Sequence, residues 1–268
     1  MQFVRSADGT PIAFEKLGTG PPLIIVGGAL SDRAAAVPLA TLLADRFTVI
    51  AYDRRGRGDS GDSPPYAVER ELEDLAALIA EAGGSTFLSG HSSGGVLALE
   101  AARTLVPAVR MLAVYEPPFI VEDSRRPMPP DYVARVDELV AADRRGDAVA
   151  YFLTVGPEFP PEEVARIRGT PRWLGMEALA HTIAYDGRVV SDTVGGSPAP
   201  LQRWASVGVP TLVLDGGASA PWQRSATQAL ARVLPRAVHR SLPGQTHGVD
   251  PEILAPVLRA FLEDEPLP

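Results

Sequence analysis

The pentapeptide Gly90-His91-Ser92-Ser93-Gly94 is the feature that most constrains what this chain can fold into. It follows an apolar run at 86–88 and precedes small and apolar residues at 95–100 that predict a helix. A strand-to-helix turn this sharp strains the backbone of its central residue, so the residues two positions away must be very small. The pattern predicts that Ser92 stands exposed at a helix N-terminus, where free N–H groups and the helix dipole favour a developing negative charge.

The rest of the chain predicts a single large α/β unit. Apolar runs alternate with helical patterns, which indicates a mostly parallel sheet with helices on both faces. An Asp-Gly turn at 8–9 joins the first two strands in a hairpin. The predicted strands are 3–5, 12–15, 23–26, 47–52, 86–88, 111–115, 210–215 and 237–242. The predicted helices are 69–82, the segment from Ser93 to about 104, 222–234, and 251–262 with Asp250 as its N-cap.

The alternation stops between the sixth and seventh predicted strands. No convincing strand pattern occurs at 118–200, and three sets of apolar residues recur there at helical spacing. The domain prediction is therefore an α/β core at 1–117 and 201–268 with an inserted helical cap at 118–200. The three sets are Tyr132, Val133, Val136, Leu139 and Val140; Val149, Phe152 and Leu153; and Trp173, Leu174, Met176, Leu179 and Ile183.

Composition excludes several classes of function. The net charge is −8 without a basic cluster, which argues against nucleic acid or an anionic membrane as a partner. There is no cysteine, and no group of His, Asp and Glu has metal-ligand spacing, so we expect neither a metal nor another cofactor. The N-terminal residues lack the features of a signal peptide and no segment is apolar enough to span a membrane. These observations favour a cytoplasmic enzyme with a small-molecule substrate; its oligomeric state is open, with a homodimer among the alternatives.

Taken together in order, the motifs resemble the α/β-hydrolase superfamily over essentially the whole chain. They are the glycine turn Gly27-Gly28-Ala29, the loop at 52–60, the Ser92 turn, the insertion after the sixth strand, and a late His247-Gly248. The resemblance implies an eight-stranded α/β-hydrolase fold with Ser92 as nucleophile and His247 as its base. It also implies an oxyanion hole formed by the backbone N–H groups of Ala29 and Ser93.

The third member of the triad departs from the usual pattern of the superfamily. Most members carry an Asp three residues after the glycine that follows the seventh strand, and counting from Gly216 gives Ser219. A hydroxyl cannot hold a negative charge against an imidazolium. Glu116, at the end of the sixth strand, is the favoured substitute, because zearalenone-type lactonases have a similar acid there; Asp215 is the alternative.

These residues predict a serine hydrolase that cleaves a carboxylic ester or lactone of a moderately sized hydrophobic substrate through an acyl-enzyme. The same triad would also serve a C–C bond hydrolase, a thioesterase or a cyclase of secondary metabolism. A non-catalytic ligand-binding protein on this fold is the alternative from another class. The predicted substrate-binding residues are Gly28, Trp173, Met176 and Trp222.

Overall fold

The computed structural model, which describes residues 1–267, contains one sheet of eight strands. In chain order the strands are β1 (Gln2–Arg5), β2 (Pro11–Leu17), β3 (Pro22–Val26), β4 (Thr48–Tyr52), β5 (Thr86–His91), β6 (Val109–Tyr115), β7 (Thr211–Gly216) and β8 (Ala237–Leu242). Their order in space is β1-β2-β4-β3-β5-β6-β7-β8. Strand β2 pairs antiparallel with β1 and β4, and all other pairs are parallel. The predicted, mostly parallel eight-stranded α/β-hydrolase sheet is confirmed.

Helices cover both faces of this sheet because its central strands are apolar on both sides. Leu23, Ile24 and Val26 of β3 are fully buried, and they divide between two separate apolar clusters, one on each face. The helices are α1 (Val37–Leu43), α2 (Val68–Glu81), α3 (Ser93–Thr104), α4 (Tyr132–Ala141), α5 (Arg145–Val155), α6 (Pro161–Ile167), α7 (Pro171–Ala178), α8 (Ile183–Val190), α9 (Pro221–Val233) and α10 (Pro251–Leu262). Residues of α2, α3 and α9 pack on one face, and residues of α1 and α10 pack on the other.

Helices α4 to α8 form a segment of their own between β6 and β7. They share a third apolar cluster that includes Val136, Val149, Trp173 and Ile183. We call residues 118–200 the helical segment.

The structure divides the third apolar pattern of this segment differently from the sequence prediction. Trp173 and Met176 belong to α7 and Ile183 to α8, and a 3-10 turn at Ala180–Thr182 separates the two helices. The two helices contribute separately to the same apolar cluster, and Leu174 of α7 is 59% exposed. Helix α6 forms where no helix was predicted.

The sheet also explains why distant parts of the chain meet. Strands β5, β6 and β7 are parallel neighbours, so their carboxyl ends lie along the same edge of the sheet. The residues that follow these ends are Ser92 and Glu116, with Gly216 closing β7. Among residues 1–267, no helix is both long and apolar enough to cross a membrane.

Candidate active site

Ser92 occupies the strained turn between β5 and α3. Its backbone has φ of 55° and ψ of −126°, and its amide donates to Tyr115 O over 2.9 Å. A Cβ atom at Gly90 would lie 2.5 Å from Gly94 O, and one at Gly94 would collide with the carbonyl of Val26. The two glycines are therefore required by the close packing of the turn, and the chain direction changes within a single residue.

His247 and Glu116 meet at this edge of the sheet. The Nδ1–H group of His247 donates to Glu116 Oε2 over 2.8 Å. Glu116 is 1% exposed, and its second oxygen, Oε1, accepts from the Gly216 amide over 2.8 Å. Because a carboxylate only accepts hydrogen bonds, Nδ1 of His247 carries a proton, and in the neutral tautomer Nε2 is therefore the nitrogen with the lone pair.

The loop that carries His247 is anchored by two strand ends. The Nε2–H group of His91, at the end of β5, donates to His247 O over 2.9 Å. Tyr115, at the end of β6, donates through its hydroxyl to Thr246 O over 2.6 Å. Burial, followed by the nearby positive charge that His247 can carry, lowers the pKa of His91 to about 4. His91 is therefore neutral at pH 7 and serves as an anchor of the loop.

Gln223, near the start of α9, is a further partner of Glu116 that the sequence did not reveal. Its Nε2 donates to Glu116 Oε2 over 3.0 Å and lies 3.1 Å from His247 Nδ1. The two nitrogens are both donors that share one acceptor oxygen. The carboxylate is thus held by Gly216, Gln223 and His247, which fixes the orientation of the imidazole ring.

Asp215, the alternative acid, faces a different histidine. It accepts from His239 Nε2 over 2.6 Å, from Ser241 Oγ over 2.5 Å and from Thr227 Oγ1 over 2.9 Å. Both of its oxygens are taken by these groups on β8 and α9. No hydrogen bond joins Asp215 to His247 within residues 1–267.

Ser92 and His247 line the same cavity but are not hydrogen-bonded to each other in residues 1–267. Such contacts are often long in unliganded sites and shorten when substrate binds. The amides of Ala29 and Ser93 also have no acceptor in the described chain, and both residues border this cavity. Ser93 is the first residue of α3, where a helix leaves its N–H groups free.

The glycine turn before Ala29 is held by two buried arginines. Arg54 donates to Gly27 O over 3.3 Å, and Arg57 donates to Gly28 O and, over 3.2 Å, to Ser31 O. The sequence marked these arginines only as part of the loop at 52–60, one of the motifs of the resemblance. Their side chains in fact hold the carbonyl groups on either side of Ala29.

The carboxylate of Asp186, in α8, accepts hydrogen bonds from both arginines and from Ser93, the residue after Ser92. Its Oδ1 accepts from Arg54 over 2.7 Å, its Oδ2 accepts from Arg57 over 2.6 Å, and Ser93 Oγ donates to Oδ1 over 2.7 Å. Burial alone would raise the pKa of Asp186, but the charges of Arg57 and Arg54 hold it below its ordinary value. No sequence pattern marked Asp186, because a single acidic residue on a helix face gives no signal.

The cavity lies between the carboxyl edge of the sheet and the helical segment, and its volume is about 1110 Å³. Of the four residues predicted to bind substrate, Gly28, Met176 and Trp222 border it. Trp173 does not, because its indole is 1% exposed within the apolar cluster of the helical segment and donates to Glu177 Oε1 over 2.6 Å. No group of three or more His, Asp or Glu residues that could hold a metal occurs in the described part of the chain.

A model of the Alpha/beta hydrolase family matches residues 23–257, which include Ser92, Glu116 and His247. The chain belongs to the α/β-hydrolase family. One relative in this family is the 2-(acetamidomethylene)succinate hydrolase of Mesorhizobium japonicum, which is 27% identical over 261 residues. That alignment covers 92% of this chain and 89% of the relative.

Two solved α/β-hydrolase structures are similar over nearly their whole lengths. An alpha/beta hydrolase from Sphaerobacter thermophilus is 56% identical, with a TM-score of 0.91 and coverage of 97% of this chain and 100% of that chain. A thermophilic esterase from Thermogutta terrifontis, with malate bound, is 26% identical, with a TM-score of 0.72 and coverage of 98% of both chains. The relatives are thus hydrolases and esterases, and they support hydrolytic chemistry in this chain.

Proposed function

We propose that this α/β hydrolase is a serine hydrolase that cleaves a carboxylic ester or lactone of a moderately sized, largely apolar substrate. The observation that carries the proposal is the hydrogen bond from His247 to buried Glu116, because His247 borders the same cavity as Ser92. A serine needs a base to remove its proton, and that base needs a third group to fix its tautomer.

In the proposed mechanism, His247 Nε2 takes the proton of Ser92 Oγ as the oxygen attacks the carbonyl carbon of the substrate. The imidazolium that forms is stabilised by Glu116, whose carboxylate stays ionised. The backbone N–H groups of Ala29 and Ser93 stabilise the oxyanion of the tetrahedral intermediate. His247 then gives its proton to the leaving alcohol, and the acyl group remains on Ser92.

The second half of the reaction repeats these roles with water. His247 removes a proton from a water molecule, the hydroxyl attacks the acyl carbon, and Ser92 leaves as the alcohol with the proton from His247. In this proposal the helical segment acts as a cap that excludes bulk water and determines which acyl and alcohol groups fit.

The first experiment measures acid release from a panel of aryl esters, alkyl esters and lactones by the wild type and by Ser92→Ala. The expected result is turnover by the wild type that Ser92→Ala abolishes. A second measurement is the mass adduct formed with a fluorophosphonate, which labels an activated serine. We expect one adduct on the wild type and none on Ser92→Ala.

Two outcomes would overturn the proposal. Turnover that survives in Ser92→Ala would assign the chemistry to another residue. Absence of both turnover and adduct, in a protein that still binds ligands, would favour a binding protein on this fold.

A further inference from the structure

Arg125 is a buried cation at the border of the active-site cavity. Its side chain is 3% exposed and lies in the helical segment, after β6 and before α4. Its Nη2 atom donates to Val155 O over 2.8 Å and to Gly156 O; Val155 is the last residue of α5 and Gly156 follows it. These bonds hold the guanidinium in one position.

The remaining donors of this guanidinium are unpaired. Nε is buried without a hydrogen-bond partner, and Nη1 makes no hydrogen bond within residues 1–267. Within residues 1–267 the guanidinium has one ion pair, with Glu158, whose Oε2 lies 3.6 Å from Nε, beyond hydrogen-bond distance, and whose side chain is 48% exposed. Burial accordingly lowers the pKa of Arg125 from its ordinary value. A buried cation without a close anion is costly, and an anion bound from the cavity would lower that cost.

Arg125 and the groups proposed to react, Ser92 and His247, border the same cavity. Its Cζ atom stands 4.2 Å above the centre of the Trp222 ring, which also borders the cavity. The next residue, Gln223, donates to Glu116, the partner of His247. A ligand on Arg125 would therefore share this cavity with Ser92 and His247.

We propose that Arg125 forms an anionic subsite that binds a carboxylate carried by the substrate at a distance from the scissile bond. The inference rests on the proposed ester hydrolysis and narrows its substrates to largely apolar molecules with one acidic end. A planar guanidinium with free donors matches a carboxylate in both geometry and charge. A single positive charge beside Glu158 suits a monoanion better than a doubly charged phosphate.

The test compares two aryl esters of similar length, the mono-p-nitrophenyl ester of adipic acid and p-nitrophenyl hexanoate. They differ at the far end, which is a carboxylate in the first and a methyl group in the second. The measured quantity is the ratio of kcat/KM for the adipate ester to kcat/KM for the hexanoate. We expect Arg125→Met to lower this ratio by about tenfold to a hundredfold, mainly through KM for the adipate ester.

Three further variants separate a binding role from a structural one. Arg125→Lys should recover part of the ratio because it restores the charge. Glu158→Gln should raise the ratio, since it removes the carboxylate that competes with the substrate. Arg126→Met, at the neighbouring arginine outside the cavity, should leave the ratio within about twofold of the wild type, because an exposed charge is screened by solvent. An unchanged ratio in both Arg125→Met and Glu158→Gln would overturn the subsite.

Calorimetric titration with adipate tests the subsite without any turnover. If Arg125→Met weakens adipate binding, the subsite is supported even when neither ester is hydrolysed. In that case only the proposed hydrolysis fails. The reverse result is that both esters are hydrolysed while Arg125→Met changes neither the kcat/KM ratio nor the affinity for adipate. The proposed function would then stand and the subsite would be wrong.

Discussion

The Ser93 hydroxyl donates a 2.7 Å hydrogen bond to Asp186, and this bond joins the residue after Ser92 to helix α8. The same carboxylate accepts from Arg54 and Arg57, which in turn hold the carbonyl groups of Gly27 and Gly28. Both amides of the proposed oxyanion hole are thus supported by one acidic side chain of the helical segment.

Asp186→Asn should destabilise the protein by about 3 kcal/mol, because it removes one of the carboxylates that compensate two buried guanidinium groups. The measurement is the free energy of unfolding in urea. Asp192→Asn is the matched control, since Asp192 is 73% exposed and pairs with Arg203 over 3.3 Å. We expect a loss of less than about 1 kcal/mol for the control. Equal losses in the two variants would contradict the importance of the buried cluster.

Glu116→Gln should lower kcat by about ten-thousandfold, because an amide can donate to Nδ1 and so favour the wrong tautomer of His247. Steady-state kinetics on the best ester of the panel would measure this. The control is Asp215→Asn, which should keep kcat and lose stability, since Asp215 bonds to His239, Ser241 and Thr227. A loss of kcat in Asp215→Asn with little change in Glu116→Gln would move the acid to β7.

Gly28→Ala should lower kcat by about tenfold to a hundredfold, because small displacements in an active site carry costs of this order. The new Cβ would lie 3.0 Å from Ser92 Cβ and 3.1 Å from His91 O, and it would displace the Ser92 turn. Gly195→Ala is the control, because a Cβ at that position meets nothing within 4 Å. Kinetics and melting temperature measured on both variants would distinguish a local displacement from general unfolding.

His91 should make stability fall as the solution is acidified. Its pKa is lowered from 6.5 to about 4 by burial, so below pH 6.5 the unfolded chain takes up a proton that the folded protein excludes. This contribution to stability is present above pH 6.5 and is lost as the pH falls towards 4. The free energy of unfolding should therefore drop more steeply over this range in the wild type than in His91→Asn. Parallel pH profiles for the two proteins would show that His91 titrates normally.

Features set by neighbouring residues could be predicted from the sequence. The Gly90–Gly94 spacing predicts the sharp turn because the steric requirement lies within five residues. Asp250 caps α10 as predicted, by accepting from the Glu252 amide. The alternation of apolar runs and helical patterns likewise predicted the sheet, since burial on both faces leaves a continuous apolar strand.

Features set by distant residues could not be predicted in the same way. Glu116 and Asp215 both end neighbouring strands, and the sequence does not tell which one faces His247. Trp173 was assigned to the cavity because an apolar helix face does not reveal whether it packs on its own segment or on a ligand. Arg125 lies in an irregular stretch without periodicity, so its burial gives no sequence signal.

The position of Glu116 also bears on how proteins that share this arrangement can diverge. With the carboxylate supplied from the end of β6, the loop after β7 holds only Gly217, Ala218, Ser219 and Ala220, and the last three border the cavity. Substitutions there would reshape the wall next to the substrate without removing a charged partner of His247. Natural selection can therefore alter substrate preference at this loop while the hydrolytic machinery stays intact.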